Sequence, residues 1–339
     1  MISHPFRIHT VLLAFALVLS SLACNAQTND EQFPFDDVLH PKVLTQADCS
    51  RKEDAVWVKA EWLERGALGA SAPQSASGCI RYFPSANAQG SATAVFFIHG
   101  DVMSFEDNPG QNREVYEKTS SRQGQITQAS RIAKEIGLPV IRIGRPGVYG
   151  STGMSHVKDR RMPIEAHLVN AAIDAIKTRY GFERIQLTGL SGGGGLVGAT
   201  LTLGRADVDC AVAASGALSI KSRARALGTR EAQRGRDQTG QLLSAVYDPI
   251  EHTGGVKADN KRRIFVLGDP MDRSVSFDSQ KEFQEKLVAA GIAATLLTAQ
   301  AKDKMHHRIA PEAQRVASWC KAGMSDADIQ AHLLKDAQK

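Results

Sequence analysis

Apolar residues along this chain fall into two kinds of pattern, and the order in which these alternate predicts the fold. Short continuous apolar runs occupy Ala92–Ile98, Pro139–Ile143, Ile185–Thr188, Cys210–Ala214, Ile264–Leu267 and Ala293–Leu297. Runs without polar alternation suit strands buried on both faces, as in a parallel sheet. Between them lie segments of helical period. In Met162–Tyr180, the residues Ile164, Leu168, Ala172 and Ile176 recur at helical spacing, Pro163 suits the first turn and Gly181 ends it. A second such segment, Ser276–Ala290, sets Phe283, Leu287 and Val288 on one face. Strands alternating with helices predict an α/β fold with a doubly wound, mostly parallel sheet. Upstream, Val56–Trp62 and Cys79–Phe83 read as two further strands separated by a Gly/Ala/Ser turn segment.

The segments outside this alternation set the domain organisation. Arg7 precedes an apolar run from Val11 to Leu22, and the small residues Ala23, Cys24, Asn25 and Ala26 follow. The run is shorter than the ~20 residues that span a bilayer, so residues 1–26 read as a signal peptide cleaved after Ala26 rather than a membrane anchor. The rival is lipidation at Cys24, because Ser21-Leu22-Ala23-Cys24 resembles a bacterial lipobox, with Ser21 where leucine is usual. Either reading makes the protein exported, and periplasmic or secreted if bacterial. Residues 27–50 are polar and proline-punctuated, a lead-in that is mobile or laid on the surface. Residues 51–339 read as one α/β domain. Two connections exceed the usual length: 101–124, with no obvious helix until Gln125, and 219–262, rich in Arg and Gly, which reads as a small cap-like insertion.

Composition narrows the class. Hydrophobic residues at 42% and charged residues at 23% fit a soluble globular protein. The formal net charge of +5 is a mild basic excess. Its local clusters, Lys158–Arg161 and Lys221–Arg236, have no interleaved aromatics, so they read as solvated faces and not as a nucleic-acid groove. Beyond Cys24 four cysteines remain: Cys49, Cys79, Cys210 and Cys320. An even number in an oxidising compartment favours disulfides. Three pairings are open, and Cys49–Cys79 with Cys210–Cys320 is preferred. No CxxC or Cys/His spacing suits a metal.

Chemistry concentrates at Gly189-Leu190-Ser191-Gly192-Gly193, which follows one predicted strand and precedes the helical run from Leu196. This is G-x-S-x-G in a strand–turn–helix setting. A hydroxyl on a tight turn needs neighbours without β-carbons, so that the chain can double back and the side chain stand clear. The Gly192 N–H then lies at a helix N-terminus, where a developing oxyanion is stabilised. A competing reading, G-x-G-x-x-G at Gly193, Gly195 and Gly198, fails because the next strand ends in Ser215-Gly216-Ala217-Leu218 with no carboxylate for a ribose.

On these residues the chain resembles the α/β-hydrolase superfamily from about Cys79 to Trp319, and most of all its secreted esterase, dienelactone hydrolase and prolyl-oligopeptidase-like branches. The resemblance implies an α/β-hydrolase-type sheet with a small cap insertion and a serine hydrolase with Ser191 as nucleophile. The strand Ala92–Ile98 ends in His99-Gly100-Asp101, similar to the family's oxyanion loop, which makes the Asp101 N–H the second oxyanion donor and His99 structural. Gly268-Asp269-Pro270-Met271-Asp272-Arg273-Ser274-Val275 matches the family's acid loop and puts the acid at Asp272, with Asp269 as the near alternative. A helix-capping aspartate is the plainer reading of Asp272. After the last strand, His306-His307 stands where the family has its general base, with His307 favoured and His306 the alternative. The order Ser, Asp, His is that of this superfamily. No cofactor or metal is implied, and the substrate would be a small-molecule ester or other acyl compound. Arg145–Gly153 carries turn residues; within and after it, Tyr149 and His156 read as solvated loop positions in preference to substrate contacts.

The expected reaction is hydrolysis of a carboxylic ester through an acyl-enzyme. A peptidase or an acyltransferase would use the same three residues. From another class, a non-catalytic binding protein could keep the fold, although such relatives usually lack one of the three residues and here all are filled.

Overall fold

In the computed structural model, the residues described are 30–65, 71–102, 113, 116–237 and 240–337. The signal-peptide reading of residues 1–26, with Cys24, lies outside them.

Among the described residues eight strands form one sheet: β1 (Ala55–Arg65), β2 (Ser71–Pro84), β3 (Thr93–Ile98), β4 (Val140–Ile143), β5 (Arg184–Leu190), β6 (Val208–Ala214), β7 (Arg263–Gly268) and β8 (Ala294–Thr298). Their spatial order is β1-β2-β4-β3-β5-β6-β7-β8. The first two pairings are antiparallel, and β4, β3 and β5 to β8 run parallel. The apolar runs are continuous because helices cover both faces. Along β3, Ala94, Phe96 and Ile98 pack into one core while Val95 and Phe97 pack into the other. Along β7, Ile264 and Val266 divide from Phe265 and Leu267 in the same way. The helices Pro163–Tyr180, Gly192–Thr202 and Phe277–Ala289 bury Leu168, Ile173, Val197 and Phe283 in the first core. The helices Arg122–Ile136, Ala310–Lys321 and Asp326–Ala337 bury Ile132, Val316 and Leu333 in the second.

Several boundaries differ from expectation. The first hairpin is longer at its turn end, where Ser71–Gly78 continues β2 although its Ser, Ala and Gln residues have weak strand preference. Pairing with β1, from Ser71↔Arg65 to Gly78↔Val58, carries them into the strand. The helix expected from Gln125 begins at Arg122, because the Ser121 side chain accepts the Gly124 N–H at 3.0 Å. The lead-in contains helices Asp36–Leu39 and Gln46–Ser50, the latter closed by a capping box between Thr45 and Asp48. It is laid on the domain through Phe33, Phe35 and Val38, which are buried against Phe83, Tyr116, Val148 and Tyr149.

The insertion 219–262 holds the helices Ile220–Leu227 and Arg230–Gln233 and a 3₁₀ helix, Pro249–Gly255. Buried Asp248 closes it, accepting the Ile220 and Lys221 N–H groups at 2.9 and 3.0 Å. The disulfides are Cys49–Cys79 and Cys210–Cys320, which join the lead-in to β2 and β6 to the helix Ala310–Lys321.

Candidate active site

Parallel strands deliver the segments after β3, β5, β7 and β8 to one edge of the sheet, and those segments hold every residue singled out for chemistry. Ser191 follows β5 and precedes the helix Gly192–Thr202, with φ 57° and ψ −121°. A residue with a β-carbon rarely adopts such a backbone, and it persists only where its surroundings hold it. Here the Ser191 N–H donates to Ala214 O at 2.9 Å, and its carbonyl accepts the Gly195 N–H at 3.0 Å. The elbow also needs close approach of the preceding loop. A β-carbon at Gly193 would lie 2.1 Å from Ile98 O, and one at Gly100 would lie 3.3 Å from the Ser191 Cβ. The Gly100–Asp101 backbone therefore abuts the serine.

After β7, the buried Asp272 does two things at once. Its Oδ1 accepts the N–H groups of Ser274 and Val275 at 2.8 and 2.9 Å and so closes the turn; the helix-capping reading of Asp272 fails, because the helix Phe277–Ala289 is capped by Ser276, whose side chain accepts the Ser279 N–H. Its Oδ2 lies 2.8 Å from His307 Nδ1. The alternative pair is also formed: Asp269 Oδ2 lies 3.2 Å from His306 Nδ1 and accepts the Ala301 N–H at 2.8 Å. The doublet is thus two His–Asp pairs side by side, the shorter one involving His307. His306 itself has φ 55°. The loop that presents both imidazoles is organised by Asp303, whose Oδ1 accepts the His307 and Arg308 N–H groups at 3.0 and 2.7 Å. Partial burial alone would raise the Asp303 pKa, but these backbone donors outweigh it and hold it below the usual carboxylate value. A bond from Arg273 N–H to Met305 O, 2.9 Å, joins this loop to the acid loop.

His99 is buried; its Nδ1 faces Gly100 O at 2.7 Å and its Nε2 accepts the Arg145 N–H at 3.4 Å. Burial, with Arg145 and Arg142 nearby, lowers its pKa well below the ordinary value, so it is neutral and structural.

Asp101 carries more than a backbone amide. Its carboxylate is gripped by Arg145 Nη1 at 2.9 Å and Arg161 Nη2 at 2.8 Å, with Arg160 Nε at 3.5 Å. Burial opposes its charge, but Arg161, Arg145 and Arg160 prevail and hold its pKa well below the usual range. Arg145 and Arg161 continue to Glu165 and Asp237, at 2.7 Å each. Burial lowers the Arg160 pKa to about 10.

The solvated-face reading of Lys158–Arg161 is therefore overturned for its last two residues, since Arg160 is 1% exposed and the Arg161 side chain 9%. The other basic cluster does face water at Arg225, Arg230, Arg234 and Arg236, but Arg223 is buried and donates to Ser274 O at 2.7 Å. The solvated reading of Tyr149 and His156 is overturned too. Tyr149 stacks on Tyr116 with ring centroids 5.0 Å apart, and fully buried His156 faces the Val102 N–H at 3.5 Å. Sequence reasoning missed Arg145, Arg161, Glu165, Asp237 and Asp303. Only the adjacency of two arginines just before Pro163 hinted at a helix-entry site.

Beside the serine, Gly192 borders a crevice of about 280 Å³ that is lined by the apolar Met162, Leu196, Ala217 and Ile220 and also by Arg161. A larger cavity, about 590 Å³, lies between the lead-in and the Gly147–Thr152 turn, and none of the serine, histidine or aspartate residues above lines it. Among the described residues no group of three or more His, Cys, Asp or Glu could hold a metal ion, and no helix is long and apolar enough to cross a membrane.

No family model matches the sequence, and no curated protein matches it. Solved structures do. The esterase Pf2001 of Pyrococcus furiosus superposes with a TM-score of 0.50 at 17% identity, covering 84% of this chain and 97% of that one. Est1E of Butyrivibrio proteoclasticus gives 0.50 at 15% identity over 80% and 98%, and a second structure of it has ferulic acid bound. The acylaminoacyl peptidase of Pyrococcus horikoshii gives 0.46 at 13% identity, and this chain spans only 40% of its length. The fold is the α/β-hydrolase fold.

Proposed function

We propose that this chain is an exported serine hydrolase that cleaves a carboxylic ester through an acyl-enzyme, with Ser191 as nucleophile, His307 as general base and Asp272 as its orienting acid. The observation that carries the reading is the 2.8 Å contact of His307 Nδ1 with Asp272 Oδ2, at the sheet edge where Ser191 stands on its left-handed elbow. With Nδ1–H donated to the carboxylate, the free Nε2 is the basic nitrogen. It takes the Ser191 proton as the hydroxyl attacks the ester carbonyl, and returns it to the departing alcohol. Water then repeats the two steps on the acyl-enzyme. The Asp272 carboxylate orients the ring and favours the imidazolium that forms between the two steps. The Gly192 N–H, first of its helix, and the Asp101 N–H, on the loop that abuts Ser191, are the donors for the developing oxyanion.

Ester cleavage is preferred because the two esterases superpose over nearly their whole length. The two disulfides favour an oxidising compartment, in keeping with export. The test is a fluorophosphonate probe followed by peptide mapping. An adduct on Ser191, lost in Ser191→Ala, together with turnover of nitrophenyl esters, supports the reading. Folded protein with no adduct at Ser191 refutes it.

A further inference from the structure

We propose that Arg161 is a positioning residue: it fixes the loop that carries the Asp101 amide and ties that loop to the insertion 219–262. The proposal rests on the reading of Ser191 as nucleophile and of the Asp101 N–H as an oxyanion donor.

Arg161 is held in a disfavoured backbone conformation, φ 64°, although it has a long side chain. Contacts on both sides of its peptide maintain this: its N–H donates to Glu165 Oε2 at 2.7 Å, and its carbonyl accepts the Tyr247 N–H at 2.8 Å. The outcome is a guanidinium that spans two carboxylates. Nη2 reaches Asp101 Oδ2 at 2.8 Å and Nη1 reaches Asp237 Oδ2 at 2.7 Å. Each carboxylate is itself anchored. Asp101 Oδ1 takes Arg145 Nη1 at 2.9 Å, and Asp237 Oδ1 takes the Gln241 N–H at 3.0 Å. Arg145 also donates to His99 O at 3.2 Å, which holds the same loop two residues earlier. Loop, helix entry and insertion thus meet on a single side chain.

A buried ion-pair cluster is poor evidence of stability for its own sake, because desolvation offsets most of the attraction. Its position suggests its use. The Asp101 carboxylate lies so near Gly192 that a β-carbon there would fall 2.0 Å from Oδ1. A lone carboxylate at this place would repel the oxyanion that the neighbouring amides are to stabilise. Arg145, Arg160 and Arg161 against Asp101, Glu165 and Asp237 balance in charge, so the carboxylate can anchor the loop without that penalty. Weakening the anchor should therefore be felt in the transition state and not in substrate binding.

The test uses Arg161→Lys, which keeps the charge but cannot span two carboxylates with one nitrogen, and Asp237→Asn, which loosens only the insertion end. Three quantities are read on the full chain: kcat, KM for a nitrophenyl ester, and Ki for an arylboronic acid, whose tetrahedral adduct on Ser191 puts an oxygen at the oxyanion position. Misplacing a donor by a fraction of an ångström should lower kcat in Arg161→Lys about 10- to 100-fold with KM nearly unchanged, and raise Ki in proportion. Asp237→Asn should move the same two quantities the same way by less. Thermal melting shows which variants are folded, and if Arg161→Lys is not, Asp237→Asn decides by the same split. Folded variants with wild-type kcat, or with a fall in kcat and no rise in Ki, overturn the proposal. Failure of the underlying reading is a separate result, seen in the unmodified protein as absence of a phosphonyl adduct on Ser191.

Discussion

Replacing Asp272 with asparagine should abolish most of the activity while leaving the fold intact, because the surrounding hydrogen bonds decide which way the new amide turns. The present carboxylate receives the Ser274 and Val275 N–H groups on Oδ1, at 2.8 and 2.9 Å, and faces His307 Nδ1 with Oδ2 at 2.8 Å. An asparagine must keep its carbonyl oxygen toward the two backbone donors, since an NH₂ there would meet donors with no acceptor. Its NH₂ then points at His307 Nδ1, which has to accept. The ring proton moves to Nε2, the atom that is to deprotonate Ser191, and the imidazole is no longer a base in the right place. An inverted tautomer of this kind costs about 10⁴-fold in kcat, or roughly 5.5 kcal/mol at ~1.4 kcal/mol per decade. The number of hydrogen bonds at the turn is unchanged, so stability should shift by less than ~1 kcal/mol. The assay is nitrophenyl ester turnover at pH 8 alongside thermal melting, with Asp269→Asn as the paired variant. That control should lose no more than a few-fold. A folded Asp272→Asn protein within tenfold of wild type would refute the reasoning, and a larger loss in Asp269→Asn would identify His306 as the working imidazole.

Two other outcomes are expected. In Gly192→Ala the new methyl would sit 2.0 Å from Asp101 Oδ1, a carboxylate too tightly held by arginines to give way. The variant should lose about 1–3 kcal/mol of stability by overpacking and ~10²-fold or more in kcat; near-normal values in a folded protein would show that the Asp101 side chain is free to move. Stability should also fall as pH drops below about 6.5, because burial lowers the pKa values of His99 and His156 in the folded state, so that only the unfolded chain takes up their protons. The limiting slope is about 1.4 kcal/mol per pH unit for each histidine, over the window between its folded and unfolded pKa values. Asp101 acts in the same direction only at still lower pH, since its stabilisation is complete above about 3.9 and is lost as pH falls through its depressed folded value. Urea melts at pH 7.5 and 5.5 with equal midpoints would contradict this.

Local order was well written into the chain. The continuous apolar runs marked β3 to β8 because both sides of each strand are covered, and Gly189 to Gly193 marked the elbow because only glycine tolerates such close packing. The expected residues on the acid and histidine loops do meet, as the His307–Asp272 and His306–Asp269 pairs. The weakest inferences concerned charge. Arg160 and Arg161 look like a solvated basic stretch in sequence, and their burial follows from partners at positions 101 and 237 that no spacing rule connects to them.

The sequence by itself determined the strand and helix pattern and the glycine-lined turn at Ser191, since each depends on residues a few positions apart. Tertiary structure alone decided which histidine pairs with which aspartate and how three arginines and three acids share a buried site. Those outcomes depend on distances between segments far apart in the chain. Within the fold a single guanidinium can satisfy carboxylates 60 and 76 residues away, and only there does its low-dielectric surrounding make the pairing matter.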